Sequence, residues 1–153
     1  MQNMKQVFTI LLILVSAPAF SQKHFSKNEF IINGFRSPSI GLEYRYKSVS
    51  VHAGYYITAL RKDVTHKFFK AGAMVWFMPI GRKQDPSSFY AGASYLRGLN
   101  LEYKNENAAS VETGFRWMIW KGFNARIGAI AVAAKGHDVK VNPAGGISYS
   151  FFF

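Results

Sequence analysis

Residues 39–58 read SIGLEYRYKSVSVHAGYYIT. Ile40, Leu42, Tyr44 and Tyr46 alternate with Gly41, Glu43 and Arg45. After Lys47–Ser48 the alternation resumes, with Val49, Val51, Ala53, Tyr55 and Ile57 against Ser50, His52, Gly54, Tyr56 and Thr58. Successive side chains of an extended chain point to opposite faces, so a period of two over such runs predicts strand. The stretch therefore holds two strands joined by a very short turn.

The same period recurs along the chain. FFKAGAMVWF (68–77) sets Phe69, Ala71, Ala73, Val75 and Phe77 against Lys70, Gly72, Met74 and Trp76. FYAGASYL (89–96), SVETGFRWMI (110–119), FNARIGAIAV (123–132) and ISYSFFF (147–153) repeat it. A less regular first strand, Glu29 to Phe35, brings the number to eight. The Ala-rich segment ARIGAIAVAAK also allows a short helix. Gly41, Gly54, Gly72, Gly92, Gly114, Gly128 and Gly146 all fall on the polar face. Interior glycine weakens an ordinary strand. In a narrow barrel small residues face large ones so that the interior fills. The large inward candidates are Arg45, Tyr56, Lys70, Trp76, Tyr90, Arg116 and Arg126.

The amino terminus, MQNMKQVFTILLILVSAPAFSQ, has one Lys, an apolar run from Val7 to Val15 and a small-residue stretch, the layout of a secretory signal peptide. The apolar run is short of the about 20 residues that a membrane helix needs. The expected division is a signal peptide over 1–21, cleavage near Gln22, and one domain over 22–153. Without Cys, the fold has neither disulfide nor thiolate metal site. Removing Lys5 from the 19 basic residues leaves 18 against 8 acidic ones, a net of +10. Such a balance favours an anionic partner. Export and the lack of a helix-turn-helix, zinc-finger or RNP pattern argue against nucleic acid, leaving a phosphate-rich membrane surface.

Periodicity alone does not say which face meets which solvent, because a membrane barrel turns apolar residues outward and polar ones inward. With eight strands running up and down, alternate strand ends share one rim. Those ends carry Tyr44/Tyr46, Phe77, Phe89, Trp117/Trp120, Phe123 and Phe151/Phe153, as an interfacial girdle requires. The connections Lys47–Ser48 and Lys121–Gly122 at that rim are short. ALRKDVTHK, RGLNLEYKNENAA and KGHDVKVNP, at the other, are longer and charged. PIGRKQDPSS and RSPS depart from this asymmetry.

The chain ends on Phe153, with Ile147, Tyr149 and Phe151 at alternate preceding positions. This end resembles the C-terminal signature of bacterial outer-membrane barrels. With the leader and the strand period, residues 28–153 resemble the small eight-stranded class, the OmpX-like and OmpA-membrane-barrel-like proteins. The resemblance implies an all-β, eight-stranded antiparallel up-and-down transmembrane β-barrel in the outer membrane. It also implies that Ile147, Tyr149, Phe151 and Phe153 form the signal read by the barrel-assembly machinery.

A barrel of eight strands has an interior that side chains fill. The inward ionisable set is Glu43, Arg45, His52, Lys70, Glu112, Arg116 and Arg126. Buried charges must be paired, so Glu43 and Glu112 are expected to pair with Arg45, Arg116 or Arg126, and the excess cations to lie near wet rims or meet water. Ser50 and His52 with Glu43 form the only nucleophile–base–acid constellation, as a lipid acyl hydrolase would need, but on the inward face. Catalysis is therefore not expected, nor any cofactor. His66 and His137, with Asp63 and Asp138, offer metal ligands only if their loops converge. Arg61, Lys62, Lys67, Lys104, Lys135 and Lys140 are candidates for facing lipopolysaccharide phosphates. A monomer of structural or surface-interaction type is the expected function. A lipid-modifying enzyme is one alternative, and a soluble exported barrel around a small apolar ligand, with the faces inverted, another.

Overall fold

The computed structural model describes residues 25, 27–34, 39–61, 63–81 and 85–153. The leader-like segment and its cleavage position near Gln22 lie outside the described residues, as do Phe35 and Lys62. Eight strands follow one another: β1 (Asn28–Gly34), β2 (Ile40–Tyr46), β3 (Val49–Arg61), β4 (Val64–Ile80), β5 (Ser87–Gly98), β6 (Asn107–Trp120), β7 (Phe123–Ala134) and β8 (Lys140–Phe152). Each pairs antiparallel with the next, and β8 pairs with β1, so one sheet closes in a ring. The segment ARIGAIAVAAK (125–135) is strand through Ala134, not helix, because Arg126, Ile130 and Val132 must face inward on alternate residues.

The rims differ. At the end where β1 starts and β8 finishes, Lys47–Ser48 and Lys121–Gly122 make tight turns. At the opposite end, which we term the outer rim, β3 and β4 run for 13 and 17 residues whereas β1 and β2 run for seven. ALRKDVTHK, expected as a loop, is mostly strand. Leu60, His66 and Phe68 continue the inward row of Tyr56 and Thr58, and burying them extends the ladder to Arg61↔Val64 past a bulge. Likewise β8 begins at Lys140, inside the expected loop KGHDVKVNP.

The faces divide as the alternation requires. Outward apolar residues are exposed on all eight strands, among them Ile32, Leu42, Val51, Val75, Tyr95, Val111, Ile127 and Ile147. Inward, Arg45, Lys70, Trp76 and Arg116 are wholly buried. The interior is not uniformly polar, however. Toward the outer rim it becomes an apolar cluster of Tyr56, Leu60, Phe68, Leu96, Tyr103, Ala108, Ile130, Val132 and Ala144. Charges occupy the middle and the opposite end, where Phe25 packs against Met74, Trp76 and Tyr90.

Glycine makes room for the large inward residues. Gly114 and Gly128 are register partners on β6 and β7, and a Cβ on Gly114 would stand 2.6 Å from Tyr90 Oη. The same Cβ would stand 2.3 Å from the Ile127 carbonyl oxygen, a backbone atom of β7. Gly114→Ala should therefore cost about 1–3 kcal/mol, the usual penalty of overpacking. Gly34→Ala, whose Cβ would meet nothing closer than 3.6 Å, should cost almost nothing. Denaturant midpoints of the strand circular-dichroism signal distinguish the two; equal effects would remove the packing role of Gly114.

Candidate functional site

All seven inward ionisable residues read from the sequence lie buried inside the ring. An eighth joins them: Glu29 on β1, with no exposed surface. Its two oxygens divide between two arginines. Oε1 accepts from Arg116 Nη1 at 2.8 Å, and Oε2 accepts from Arg45. Glu43 binds Arg126 Nη1 at 2.9 Å through Oε2, which also accepts from Asn33, while Ser50 Oγ donates to Oε1 at 2.6 Å. Lys70 pairs with Glu112. Three carboxylates thus serve four permanent cations.

The expected pairing is changed in two places. Glu112 holds Lys70 instead of an arginine, and Arg45 and Arg116 share Glu29. The cations do not retreat to wet rims. They are accommodated partly by rings: Cζ of Arg116 and of Arg126 stands 4.4 and 4.9 Å from the Trp76 ring centroid. Arg45 lies over Phe25 at 4.7 Å and Lys70 over Tyr56 at 5.6 Å. The negative face of an aromatic ring attracts a cation most strongly where water is excluded. Trp76 is itself fixed, since its Nε1 donates to Ser50 Oγ at 2.8 Å.

The Ser50–His52–Glu43 constellation is not assembled as a triad. Ser50 donates directly to Glu43, and the His52 ring bonds Ser94 Oγ at 3.0 Å instead. A nucleophile needs its base within hydrogen-bond reach; these two side chains each have another partner.

At the outer rim the loop between β5 and β6 folds inward. Residues Leu101–Tyr103 form one 3₁₀ turn that seats Tyr103 on the apolar cluster. His137 stacks on the Tyr103 ring at 4.4 Å and His66 meets it edge-on at 5.0 Å. His66 Nε2 lies 3.2 Å from Glu102 Oε1, and His137 Nε2 lies 3.1 Å from Glu106 Oε2. The two histidines do converge, but around Tyr103 and with the glutamates, not with Asp63 and Asp138. Among the described residues no group of three His, Cys, Asp or Glu is arranged to hold a metal ion. Burial pushes the Tyr103 hydroxyl above its ordinary range, and Glu102, Glu106 and Asp138 add to the shift.

Of the candidate lipopolysaccharide-facing residues, Lys67, Lys104, Lys135 and Lys140 are exposed at this rim, and Arg61 ends β3. Ile147, Tyr149, Phe151 and Phe153 all point outward and are exposed. Tyr149 and Phe151 touch edge to face at 4.9 Å. Glu29 is hard to see in the sequence because β1 lacks a clean alternation, with the apolar Ile31 facing inward between Glu29 and Asn33. The excess of the four cations Arg45, Lys70, Arg116 and Arg126 over Glu43 and Glu112 is the sequence signal for a further inward acid. Comparisons with protein-family models, curated proteins and solved structures give no match to this chain.

Removing one partner of a buried pair leaves an uncompensated charge, which costs about 3–5 kcal/mol. Glu29→Gln strips the counter-charge from two arginines and should lower the denaturant midpoint more than Glu112→Gln, which takes the ion-pair partner from one cation, Lys70. Replacing both Lys70 and Glu112 by apolar residues should recover part of the Glu112→Gln loss. Midpoints unchanged by Glu29→Gln would mean that the network has no energetic importance.

Proposed function

We propose that the protein spans the bacterial outer membrane as an eight-stranded barrel and serves there as a structural or surface-interaction element. The observation that carries this reading is the inversion of its faces. Arg45, Lys70 and Arg116 are 0% exposed, while Ile40, Val51, Val111, Ile127 and Val141 are more than half exposed on a continuous outer surface. Monomeric soluble proteins rarely leave apolar patches larger than a few hundred Å²; here every strand contributes. The soluble alternative, with aromatics inside and cations in water, requires the opposite burial. The split Ser50 and His52 lend the enzymatic alternative no support.

Aromatic rows mark the edges of the apolar surface. Toward the rim where β1 starts, Phe30 is the register partner of both Tyr44 and Phe151, and Phe89 that of both Phe77 and Phe115. Toward the outer rim, Tyr55, Phe69 and Tyr95 form a shorter row on β3, β4 and β5. Phe69 and Phe77 share β4 and lie eight residues apart, about 26 Å along the strand at its usual rise. Strand tilt reduces that to about 20 Å of height, near the apolar band of such barrels. Tyr and Trp favour the headgroup boundary. Among the described residues no helix is long and apolar enough to cross a membrane; in this reading the strands cross it.

The exposed lysines 67, 104, 135 and 140 would then face the outer leaflet, where lipopolysaccharide phosphates supply the anionic partner. The barrel-assembly machinery would read the final strand during biogenesis.

The protein should fractionate with outer membranes and migrate differently in SDS gels before and after boiling. Refolded in detergent, it should bind lipopolysaccharide, and Ala substitution of Lys67, Lys104, Lys135 and Lys140 should weaken that binding. A periplasmic protein without a mobility shift would end the membrane reading; unchanged binding by the Ala variant would end the lipopolysaccharide role.

A further inference from the structure

The two tight turns at the rim where β1 starts and β8 finishes share an unusual construction. Lys47 has φ 54° and Lys121 φ 38°. Positive φ is uncommon for residues other than glycine, with Asn and Asp the usual exceptions. Two-residue turns of this kind favour Asn-Gly or Gly-Gly. A lysine at both positions thus works against the local backbone preference.

What the side chains do is alike in the two turns. Lys47 Nζ stands over the ring of Tyr46 at 5.3 Å, and Lys121 Nζ over the ring of Trp120 at 5.1 Å. Both rings are exposed, and so are both lysines. Each turn therefore presents an ammonium held against an outward aromatic, at the edge of the apolar surface. Neither lysine joins an ion pair among the described residues. Glu29, buried inside the ring, is already divided between Arg45 and Arg116. Lys27 adds an exposed cation beside the first turn, where Lys47 N donates to Lys27 O at 3.0 Å.

We propose that Lys47 and Lys121 bind the phosphates of anionic phospholipid headgroups in the leaflet at this end of the barrel, a reading that rests on the membrane-spanning function above. The aromatic ring of each pair sits at the headgroup boundary, and the cation–π contact holds the ammonium at the same depth. A compact ammonium with rotatable donors suits a phosphate approached from varied angles. The β2–β3 and β6–β7 turns are four strands apart in a ring of eight, so the two sites lie on opposite sides and anchor the rim at two points. The lipopolysaccharide-facing cations belong to the other rim and take no part.

Native mass spectrometry of detergent-refolded protein supplied with phosphatidylglycerol or phosphatidylcholine tests the proposal. K47G/K121G removes both ammoniums while easing the backbone, since glycine accepts positive φ freely. K47R/K121R keeps the charge. The wild type should retain up to two phosphatidylglycerol molecules in preference to phosphatidylcholine. A lysine near an anionic lipid surface contributes about a fivefold change in binding, and K47G/K121G should lose that preference at both sites while K47R/K121R keeps it. The heat-dependent mobility shift should persist in all three. A folded, heat-shifting wild type without lipid preference, or K47G/K121G with undiminished preference, overturns the lipid sites alone. Absence of the shift in every variant overturns the membrane reading and the sites with it.

Discussion

Everything inside this ring depends on the pairing of charges that water does not reach. A buried ion is tolerable only with a partner and further hydrogen bonds. Glu29 on β1 reaches Arg45 on the adjacent β2 and Arg116 on β6. Glu43 on β2 reaches Arg126 on β7, and Lys70 on β4 reaches Glu112 on β6. Of these, Glu29–Arg116 and Glu43–Arg126 cross the lumen and join strands far apart in sequence. They are satisfied only when the sheet has closed, since no open arrangement brings β1 to β6 and β2 to β7 at once. Closure of the ladder between β1 and β8 and formation of the network are thus two sides of one event.

With the charges held inside, apolar side chains are left for the outside. That division is continuous around the ring, whereas the interior changes character along its axis. Trp76, Tyr90 and the arginines fill the middle, where glycines on β6 and β7 give them room. Toward the outer rim the filling turns apolar, and Tyr103 covers it between His66 and His137. The outer end is therefore sealed by aromatic packing, not by a layer of charge. Cations on the two rims remain outside this interior and are available to whatever surrounds the protein.

The alternation in residues 40–58 gave the strand period and the inward positions of Glu43, Arg45 and His52, because a two-residue turn preserves the phase. It failed where both faces are apolar. Leu60, Phe68, Leu96, Ile130 and Val132 point inward, so the contrast between faces fades toward the outer rim and strand ends read as loops. In β1, the inward Ile31 lies between Glu29 and Asn33, which disguised the phase and hid Glu29. The pairing of Lys70 with Glu112 depends on reach inside the ring, which no local spacing encodes. The meeting of His66, Tyr103 and His137 joins three separate segments. Nothing near any of them in sequence announces it.

The central claim is that the outward face meets hydrocarbon while the inward face is closed to everything. The chain has no cysteine, so single cysteines at 49 to 55 along β3 can carry spin labels in the refolded, lipid-reconstituted protein. Accessibility to oxygen, which concentrates in hydrocarbon, should peak at the outward positions 49, 51, 53 and 55. Accessibility to a water-soluble nickel chelate should be low on both faces across the middle of the strand. A nickel chelate that reaches the outward positions with the same period of two would place that face in water and contradict the account.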